Sequence, residues 1–342
     1  MQTNLLSAFY IIENLKDLCY TIPGDYMKQE LHYGILSTSS IAPRFIAAVR
    51  EAGAGKIVAL SSRSLEKAKQ KAQQWEIPTA YGSHEQLLQD ENVSIVYISN
   101  VNSRHYRWAK AALEQGKHVI CEKPCTTSQV HTRELFKLAR EKGLFFMEAE
   151  KMLFLPAIEE VRRRIAAGCL GDIYMAELSH SFPAAYNNWM FDAEAGGGPL
   201  LSSGIYAVQL ILRLCGEITG IRGVKSSMPD GVEWQYILSG ETGSGTLFSI
   251  KNSTRAVLDN TAKFYGTNGW VEIPEYWKAR KAIFHISGNE PETVEFPCQH
   301  ELVYEARHIQ QCLQAGLLIS PVVTEDISVA GIAAIEKVKE SW

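Results

Sequence analysis

The stretch Tyr33–Ala42, YGILSTSSIA, has the outline of the first strand and turn of a dinucleotide-binding domain. Such a turn ordinarily reads G-x-G-x-x-G/A, because glycines let the backbone turn tightly and approach a pyrophosphate. Here Ser37 and Ser39 occupy the first two glycine positions, and Ala42 keeps the small third residue. Serine hydroxyls donate to phosphate and the next helix presents free amides, so we predict that the turn still holds a cofactor. An ordinary strand-to-helix turn without a ligand is the alternative.

Short apolar runs alternate with amphipathic stretches from residue 31 to residue 149, as in a parallel sheet covered by helices. We expect strands at 32–36, 56–61, 95–99, 118–121 and 144–148. We expect helices at 43–51, 65–75, 106–115 and 130–141, two of them followed by a glycine cap, Gly116 or Gly143. This pattern predicts an α/β fold that begins with a doubly wound (Rossmann) domain.

The second half of the chain is richer in strands. After an arginine-rich helix that ends at Gly168, strand-like alternation recurs at 173–182, 232–239, 245–251, 262–265, 270–273 and 282–286. Helices are expected at 302–314 and 326–339. We therefore expect a C-terminal α+β domain with a mostly antiparallel open sheet.

These patterns divide the chain into four parts. Residues 1–28 form an N-terminal extension, 29–150 the dinucleotide-binding domain, 151–320 a domain for substrate and oligomerisation, and 321–342 a C-terminal helix packing back on the first domain. The extension is either an amphipathic helix docked on the body or a mispredicted start. Its short apolar run lacks a basic leader, so we expect no export or membrane signal.

Composition narrows the classes of function. The 342 residues carry 34 Lys and Arg against 38 Asp and Glu, a net charge of -4, which argues against a nucleic-acid partner. The seven cysteines never form a C-x-x-C pair and the nine histidines show no ligand spacing, so we expect neither a disulfide framework nor a metal site. A soluble, cytoplasmic protein fits these features.

The end of the second predicted strand bears on cofactor choice. An NAD site usually has Asp or Glu there, bound to the ribose hydroxyls. This chain reads Ser61-Ser62-Arg63, in which a hydroxyl and a guanidinium suit a 2′-phosphate. We predict binding through Ser62 and Arg63 and a preference for NADP, with NAD possible; a solvated cap is the alternative for Arg63.

The segment Gly116–Pro124, GKHVICEKP, delivers Glu-Lys-Pro to the carboxyl edge of the sheet. With this segment the chain resembles the glucose-fructose oxidoreductase, inositol dehydrogenase and MocA (Gfo/Idh/MocA) family. The resemblance runs from Leu31 to the C-terminus, through NSRH at 102–105, MEA at 147–149, GGGPLL at 196–201, YGTNG at 265–269 and YEARH at 304–308.

The resemblance implies roles for particular residues. Lys123 would lie beside the nicotinamide and the reacting oxygen, and the Lys123–Pro124 peptide would be cis. Glu122 would help to hold the cofactor. The remaining cofactor residues are expected to be Ser37, Thr38, Ser39, Ile41, Ala42, Ser62, Arg63, Asn100, Asn102 and His105.

Tyr206 is our candidate general acid/base. In the branch of the family that resembles dihydrodiol and NADP-dependent xylose dehydrogenases, a Tyr follows the glycine run where Tyr206 stands here. A phenol with a pKa of about 10 is a poor base, and we expect the Lys123 ammonium to lower that pKa by up to about three units. Without the resemblance, core packing explains Tyr206 as well.

The substrate side departs from relatives of this kind. Many carry Asp four residues before the Tyr, where this chain has Ser202. Asn187, Trp189 and Ser202 are candidate substrate residues. Tyr186, Asn188 and Phe191 lie on the same loop as Asn187 and Trp189. Core packing explains the three aromatic residues about equally well, and a turn is the alternative for the two asparagines. A neutral Ser202 indicates either a substrate other than the usual sugars or reduced activity.

Two functions follow from these expectations. The first is an NAD(P)-dependent oxidoreductase acting on a sugar, polyol or dihydrodiol. The second is a cofactor-binding sensor or regulator with decayed catalysis, since glycines and an Asp are missing. By analogy we expect a homodimer or tetramer formed through the C-terminal sheet.

Overall fold

The structure, a computed structural model, describes residues 30–182, 189–229 and 231–342. The predicted extension at 1–28 lies outside these residues. Within the described residues, no helix is both long and apolar enough to span a bilayer.

The first half of the chain alternates strands and helices around one parallel sheet. Its strands are β1 (His32–Leu36), β2 (Lys56–Ser61), β3 (Thr79–Tyr81), β4 (Ile95–Ile98), β5 (His118–Glu122) and β6 (Phe146–Ala149). Its helices are α1 (Ala42–Ala52), α2 (Leu65–Gln74), α3 (His84–Leu88), α4 (Asn102–Glu114) and α5 (Gln129–Lys142). The strand order β3-β2-β1-β4-β5-β6, with every pair parallel, confirms the doubly wound domain.

Local signals explain where these elements begin and end. The Ser64 side chain accepts a hydrogen bond from the Lys67 amide at 3.3 Å and so caps α2. Gly143 closes α5 in the left-handed conformation, as the sequence predicts. Strand β3 and helix α3 were not predicted, because three and five residues are too short to show a period.

The second half is built on an eight-stranded sheet. A short 3-10 turn (Lys151–Phe154) and α6 (Pro156–Ala166) lead into it, and α7 (Ile205–Cys215) packs beside it. Its strands are β7 (Ile173–Ser181), β8 (Ile218–Ser227), β9 (Glu233–Thr242), β10 (Leu247–Ser253), β11 (Thr261–Gly266), β12 (Gly269–Pro274), β13 (Lys281–Ile286) and β14 (Glu292–Glu295).

The order of this sheet is β14-β13-β12-β11-β7-β10-β9-β8. Strands β7 and β10 pair in parallel and the other neighbours are antiparallel, which confirms the mostly antiparallel open sheet. Strand β8 was not predicted, because Gly220 and Gly223 interrupt its apolar alternation.

Two helices complete the fold, α8 (Leu302–Gln314) and α9 (Glu325–Glu340). Helix α8 packs on α1 of the first half, whereas α9 lies against α5 and also against α7 and β8. One continuous apolar core includes Phe45 of α1, Phe264 of β11 and Ile335 of α9. A second cluster fills the opposite face of the parallel sheet. The two halves therefore share an interior.

Candidate active site

A cleft of about 1160 Å³ opens at the carboxyl edge of the parallel sheet and extends to the start of α7. Among the residues that line it are most of those predicted from the sequence: Ser37, Thr38, Ser39, Ile41, Ser62, Arg63, Asn100, Asn102, His105, Glu122, Lys123, Trp189, Ser202 and Tyr206. Ala42 is fully buried behind the cleft, where it lets α1 pack closely. In doubly wound sheets, ligands bind at this edge, where the strand order reverses.

The opening turn keeps the shape of a glycine turn although its glycines are gone. Ser37 has a φ of 125°, in the region that favours glycine, and its amide donates to the Ser61 carbonyl at 3.2 Å. The Ser39 hydroxyl donates to the Ser99 hydroxyl at 2.8 Å, which ties the turn to the end of β4. The turn therefore presents hydroxyls and the first amides of α1 to the cleft.

Beside β2, the structure adds a residue that the sequence analysis did not select. His84, at the start of α3, is buried, with Nδ1 2.8 Å from the Ser61 hydroxyl and Nε2 3.3 Å from Asn100 Nδ2. Burial lowers the pKa of His84 to about 4, and Arg63 and Arg107 act in the same direction. No local pattern marks this histidine, because its partners lie on other strands.

Two predicted cofactor residues, Asn102 and His105, have their polar side-chain groups in contact with backbone carbonyls of the protein. Asn102, the first residue of α4, donates to the Gly196 carbonyl at 2.9 Å. His105 is buried, and its two ring nitrogens lie 2.8 Å from the carbonyl oxygens of Pro124 and Asn100. Both side chains therefore position the loops that surround the cleft.

Strand β5 ends in the segment singled out by the sequence. The Lys123–Pro124 peptide is cis, as expected. The Tyr97 hydroxyl donates to the Glu122 carboxylate at 2.6 Å, and the Lys123 ammonium donates to the Ser202 carbonyl. Lys123 is thereby fixed against the second half of the chain.

Tyr206 stands in the first turn of α7 after one π-helical turn, Leu200–Gly204. The glycine run before it is packed too tightly for side chains: Gly198 has a φ of 105°, and a Cβ there would lie 2.3 Å from Glu233 Oε1. The Glu233 carboxylate accepts the Leu200 amide at 2.9 Å. These contacts place the Tyr206 ring centroid 4.4 Å from Lys123 Nζ.

The electrostatics of this pair correct one expectation. Burial raises the pKa of Tyr206 well above its ordinary value, and the nearby carboxyl groups of Glu150 and Glu122 act in the same direction. The expected net lowering by Lys123 was wrong, because burial of the Tyr206 phenol outweighs it. Burial also lowers the pKa of Lys123. The structure therefore holds Tyr206 as a neutral phenol.

A second lysine near Tyr206 was missed by the sequence analysis. Lys151 is buried, lines the cleft and places Nζ 5.8 Å from the Tyr206 ring centroid. It donates to the Trp277 carbonyl at 2.8 Å and to Glu301 Oε1 at 3.1 Å. Only the tertiary fold brings these residues together, so sequence spacing carries no signal for them.

The candidate substrate residues divide into three cases. Trp189 is 40% exposed and lines the cleft, and the buried Ser202 hydroxyl has no hydrogen-bond partner among the described residues. Phe191 is buried, which agrees with the core-packing alternative for this residue. Asn187 lies outside the described residues, together with Tyr186 and Asn188.

The donor set of the cleft fits a dinucleotide. The described lining carries seven cationic side chains, Arg44, Arg63, Lys67, Arg104, Arg107, Lys123 and Lys151, against three carboxylates, Glu122, Asp192 and Glu194. The Asn100 amide oxygen is buried without a described partner. An anionic ligand with polar edges is therefore suited to this surface. The described residues contain no cluster of three or more His, Cys, Asp or Glu that is placed to hold a metal ion.

Comparison with protein families gives matches over both halves. Residues 31–150 match the GFO/IDH/MocA model, an oxidoreductase family with an NAD-binding Rossmann fold. Residues 158–272 match the GFO/IDH/MocA C-terminal domain.

Solved structures share the fold. A levoglucosan dehydrogenase in complex with NADH and levoglucosan superimposes with a TM-score of 0.84 at 18% identity, covering 92% of this chain and 97% of that chain. A 3-ketoreductase from Actinomadura kijaniata in complex with NADP gives a TM-score of 0.83 at 22% identity, covering 92% and 98%.

Two relatives are closer in sequence. Trans-1,2-dihydrobenzene-1,2-diol dehydrogenase of Mus musculus is 32% identical over 306 residues, which cover 86% of this chain and 91% of the mouse protein. The Xenopus laevis protein of the same name is 33% identical over 315 residues, covering 85% and 92%. With both halves matched and this identity over nearly the whole of the relatives, the chain belongs to the GFO/IDH/MocA family of NAD-binding oxidoreductases.

Proposed function

We propose that the protein is an NADP-preferring dehydrogenase or reductase that interconverts a secondary alcohol and a carbonyl on a sugar, polyol or dihydrodiol. The observation that carries this proposal is the contact between Lys123 and Tyr206 in the cleft, with Nζ 4.4 Å from the ring centroid. The relatives' activity on a dihydrodiol supports the substrate class.

In this proposal the cofactor lies along the carboxyl edge of the parallel sheet. The turn at Ser37–Ile41 and the first amides of α1 hold its pyrophosphate, while Asn100, Glu122 and Lys123 line the way to the nicotinamide. When bound, the nicotinamide supplies or accepts the hydride. Ser62 and the exposed Arg63 at the end of β2 receive the 2′-phosphate, which is the basis for preferring NADP.

Side chains of the protein transfer the proton to and from the substrate oxygen. Tyr206 gives its phenolic proton to the carbonyl oxygen during reduction and takes it back during oxidation. The Lys123 ammonium lies over the ring and stabilises the phenolate that forms when the proton leaves. Trp189 lines the cleft and excludes water from it, and Ser202 contributes a polar group to substrate binding. Asn187, which lies outside the described residues, is a proposed ligand of a substrate hydroxyl.

The proposal includes a cytoplasmic homodimer or tetramer formed through the second sheet. One face of that sheet carries exposed apolar side chains on neighbouring strands, where Met175 pairs with Leu247 and Val224 with Ile237. An apolar sheet face of this kind is commonly covered by a partner. The sensor alternative gains no such support, because both members of the Lys123 and Tyr206 pair are present and in contact.

A titration followed by turnover tests the proposal. We expect tryptophan fluorescence to report tighter binding of NADPH than of NADH, and Arg63→Ala to weaken NADPH about tenfold or more while leaving NADH unchanged. Arg104→Ala, which also removes a cleft cation, is the matched control and should not shift the preference.

Tyr206→Phe should then bind NADPH normally but lose turnover on diols and sugars by roughly 100-fold or more. Failure to bind either cofactor refutes the proposed function. Full turnover in Tyr206→Phe refutes the role of the phenol.

A further inference from the structure

Lys151 is the feature of the cleft that a neutral sugar or diol leaves unexplained. Its side chain is 9% exposed, it lines the cleft, and its Nζ lies 5.8 Å from the Tyr206 ring centroid. A lysine ammonium has three N–H donors, of which two are used by the Trp277 carbonyl and the Glu301 carboxylate. The third N–H has no acceptor among the described residues.

The charges around Lys151 do not balance. Glu301 is paired with Lys151 at 3.1 Å and also with Arg44, so one carboxylate serves two cations. Burial alone would raise the pKa of Glu301, but Lys151 and Arg44 outweigh it and lower that pKa to about 2. With all three groups ionised, Arg44, Glu301 and Lys151 carry one net positive charge. Burial lowers the pKa of Lys151, and the contact with Glu301 opposes that shift. Two other acids interact with Lys151, Glu150 and Glu305, and burial holds both toward their neutral forms by raising their pKa values well above the ordinary value.

Ser202 lines the same cleft and offers a second donor. The Ser202 hydroxyl is buried without a described partner, and the Ser202 carbonyl is held by Lys123, so the residue is fixed in position. A buried hydroxyl without a partner costs free energy unless a ligand completes it. Ammonium and hydroxyl together offer two donors and a positive charge, which match the two oxygens of a carboxylate.

We propose that Lys151 and Ser202 bind a carboxylate carried by the substrate, so that the substrate is a sugar acid or another hydroxy acid. This inference rests on the proposed oxidoreductase function and narrows its substrate class. Lys151 is the specificity-determining residue, because it holds the charged end of the substrate while Tyr206 faces the alcohol that reacts. A phosphate dianion fits less well, since two donors leave at least one of its oxygens without a partner.

Binding to the protein loaded with NADP tests this inference without requiring turnover. Matched pairs differ only in the acidic group: D-glucuronate and D-glucose, D-galacturonate and D-galactose, D-glycerate and glycerol. For at least one pair we expect the acid to bind tenfold or more tightly than its neutral partner, which is the effect of one charged hydrogen bond.

Variants test whether Lys151 causes the preference for the acidic ligand. Lys151→Met should abolish the preference for the acid, whereas Lys151→Arg should keep part of it. Lys278→Met is the matched control, because Lys278 is a partly exposed lysine beside Trp277 that does not line this cleft. Ser202→Asp, which places a negative charge at the second donor, should favour the neutral member of the pair even if Lys151→Met folds poorly.

The outcomes separate the two proposals. Absence of NADPH and NADH binding refutes the oxidoreductase itself. Normal cofactor binding with no preference for any acid, or with a preference that survives Lys151→Met, refutes the carboxylate site alone. Tighter binding of D-glucose 6-phosphate than of every acid also overturns it, in favour of a phosphate site.

Discussion

Replacing Ser37 by glycine is expected to stabilise the protein. Ser37 holds a φ of 125°, where a side chain is strained and glycine is not. Holding such a conformation costs roughly 1–3 kcal/mol. Glycine relieves this strain, but its unfolded chain has greater conformational freedom, which offsets about 0.5–1 kcal/mol of the gain. The Ser37 amide bond to Ser61 does not involve the side chain and survives. We therefore expect a net gain of about 1 kcal/mol in the free energy of unfolding, within limits of about 0 and 2.5 kcal/mol.

Ser39→Gly is the matched control, two residues further along the same turn. Ser39 is not among the described residues with positive φ, and its hydroxyl donates to the Ser99 hydroxyl at 2.8 Å. Glycine there relieves no strain, loses that hydrogen bond and adds chain entropy. We expect a loss of about 1–2 kcal/mol, opposite in sign to the effect at Ser37.

The assay is urea unfolding of both variants and the parent, followed by tryptophan fluorescence and circular dichroism. Coincident transitions by the two probes justify a two-state comparison of midpoints. A midpoint for Ser37→Gly at or below that of the parent would show that the turn is not strained, and the reasoning from its backbone would fail.

Two further predictions concern pH and assembly. Burial lowers the pKa of four histidines, to about 4 for His84 and His118 and to about 3 for His180 and His308. Below the histidine pKa of the unfolded chain, about 6.5, the unfolded chain binds more protons than the folded one. These histidines should therefore contribute their full stabilisation only above that pH. The histidine contribution should fall toward pH 4 by up to about 1.4 kcal/mol per pH unit for each histidine, whereas protonation of Glu150 and Glu305 acts in the opposite direction. Between pH 7.5 and 5 the urea midpoint should therefore fall less for His118→Gln than for the parent, and an equal change contradicts this. Ile237→Glu, on the exposed face of the second sheet, should convert a dimer into a monomer in light scattering, whereas Val130→Glu on α5 should not. A parent protein that is already monomeric rejects the interface.

The sequence predicts the parallel sheet well because buried parallel strands are short apolar runs between helical stretches. Strands β1 and β2 occupy the residues expected, and β5 and β6 differ by one or two residues at their ends. Helix α4 begins at Asn102, four residues before its predicted start, because its polar first turn carries little apolar signal. Sequence reasoning therefore located the edge of the sheet at which the cleft lies.

The site was predictable only in part. Lys123 and Tyr206 were selected through the resemblance, and the fold brings them into contact. The direction of the Tyr206 pKa shift was not predictable, because it depends on burial by residues far apart in the chain. Lys151 and Glu301 are 150 positions apart and meet only when α8 packs beside the 3-10 turn, so no local pattern could select them.

The interior shared by the two halves has a consequence for redesign of this enzyme. Phe45, Phe264 and Ile335 belong to one apolar cluster, so a chimera that exchanged either half for that of a relative would break a packed core. Arg63 lies outside that cluster, on the exposed end of β2. Under the proposed role of Arg63, single substitutions at the rim should change cofactor preference, whereas the two halves must be altered together.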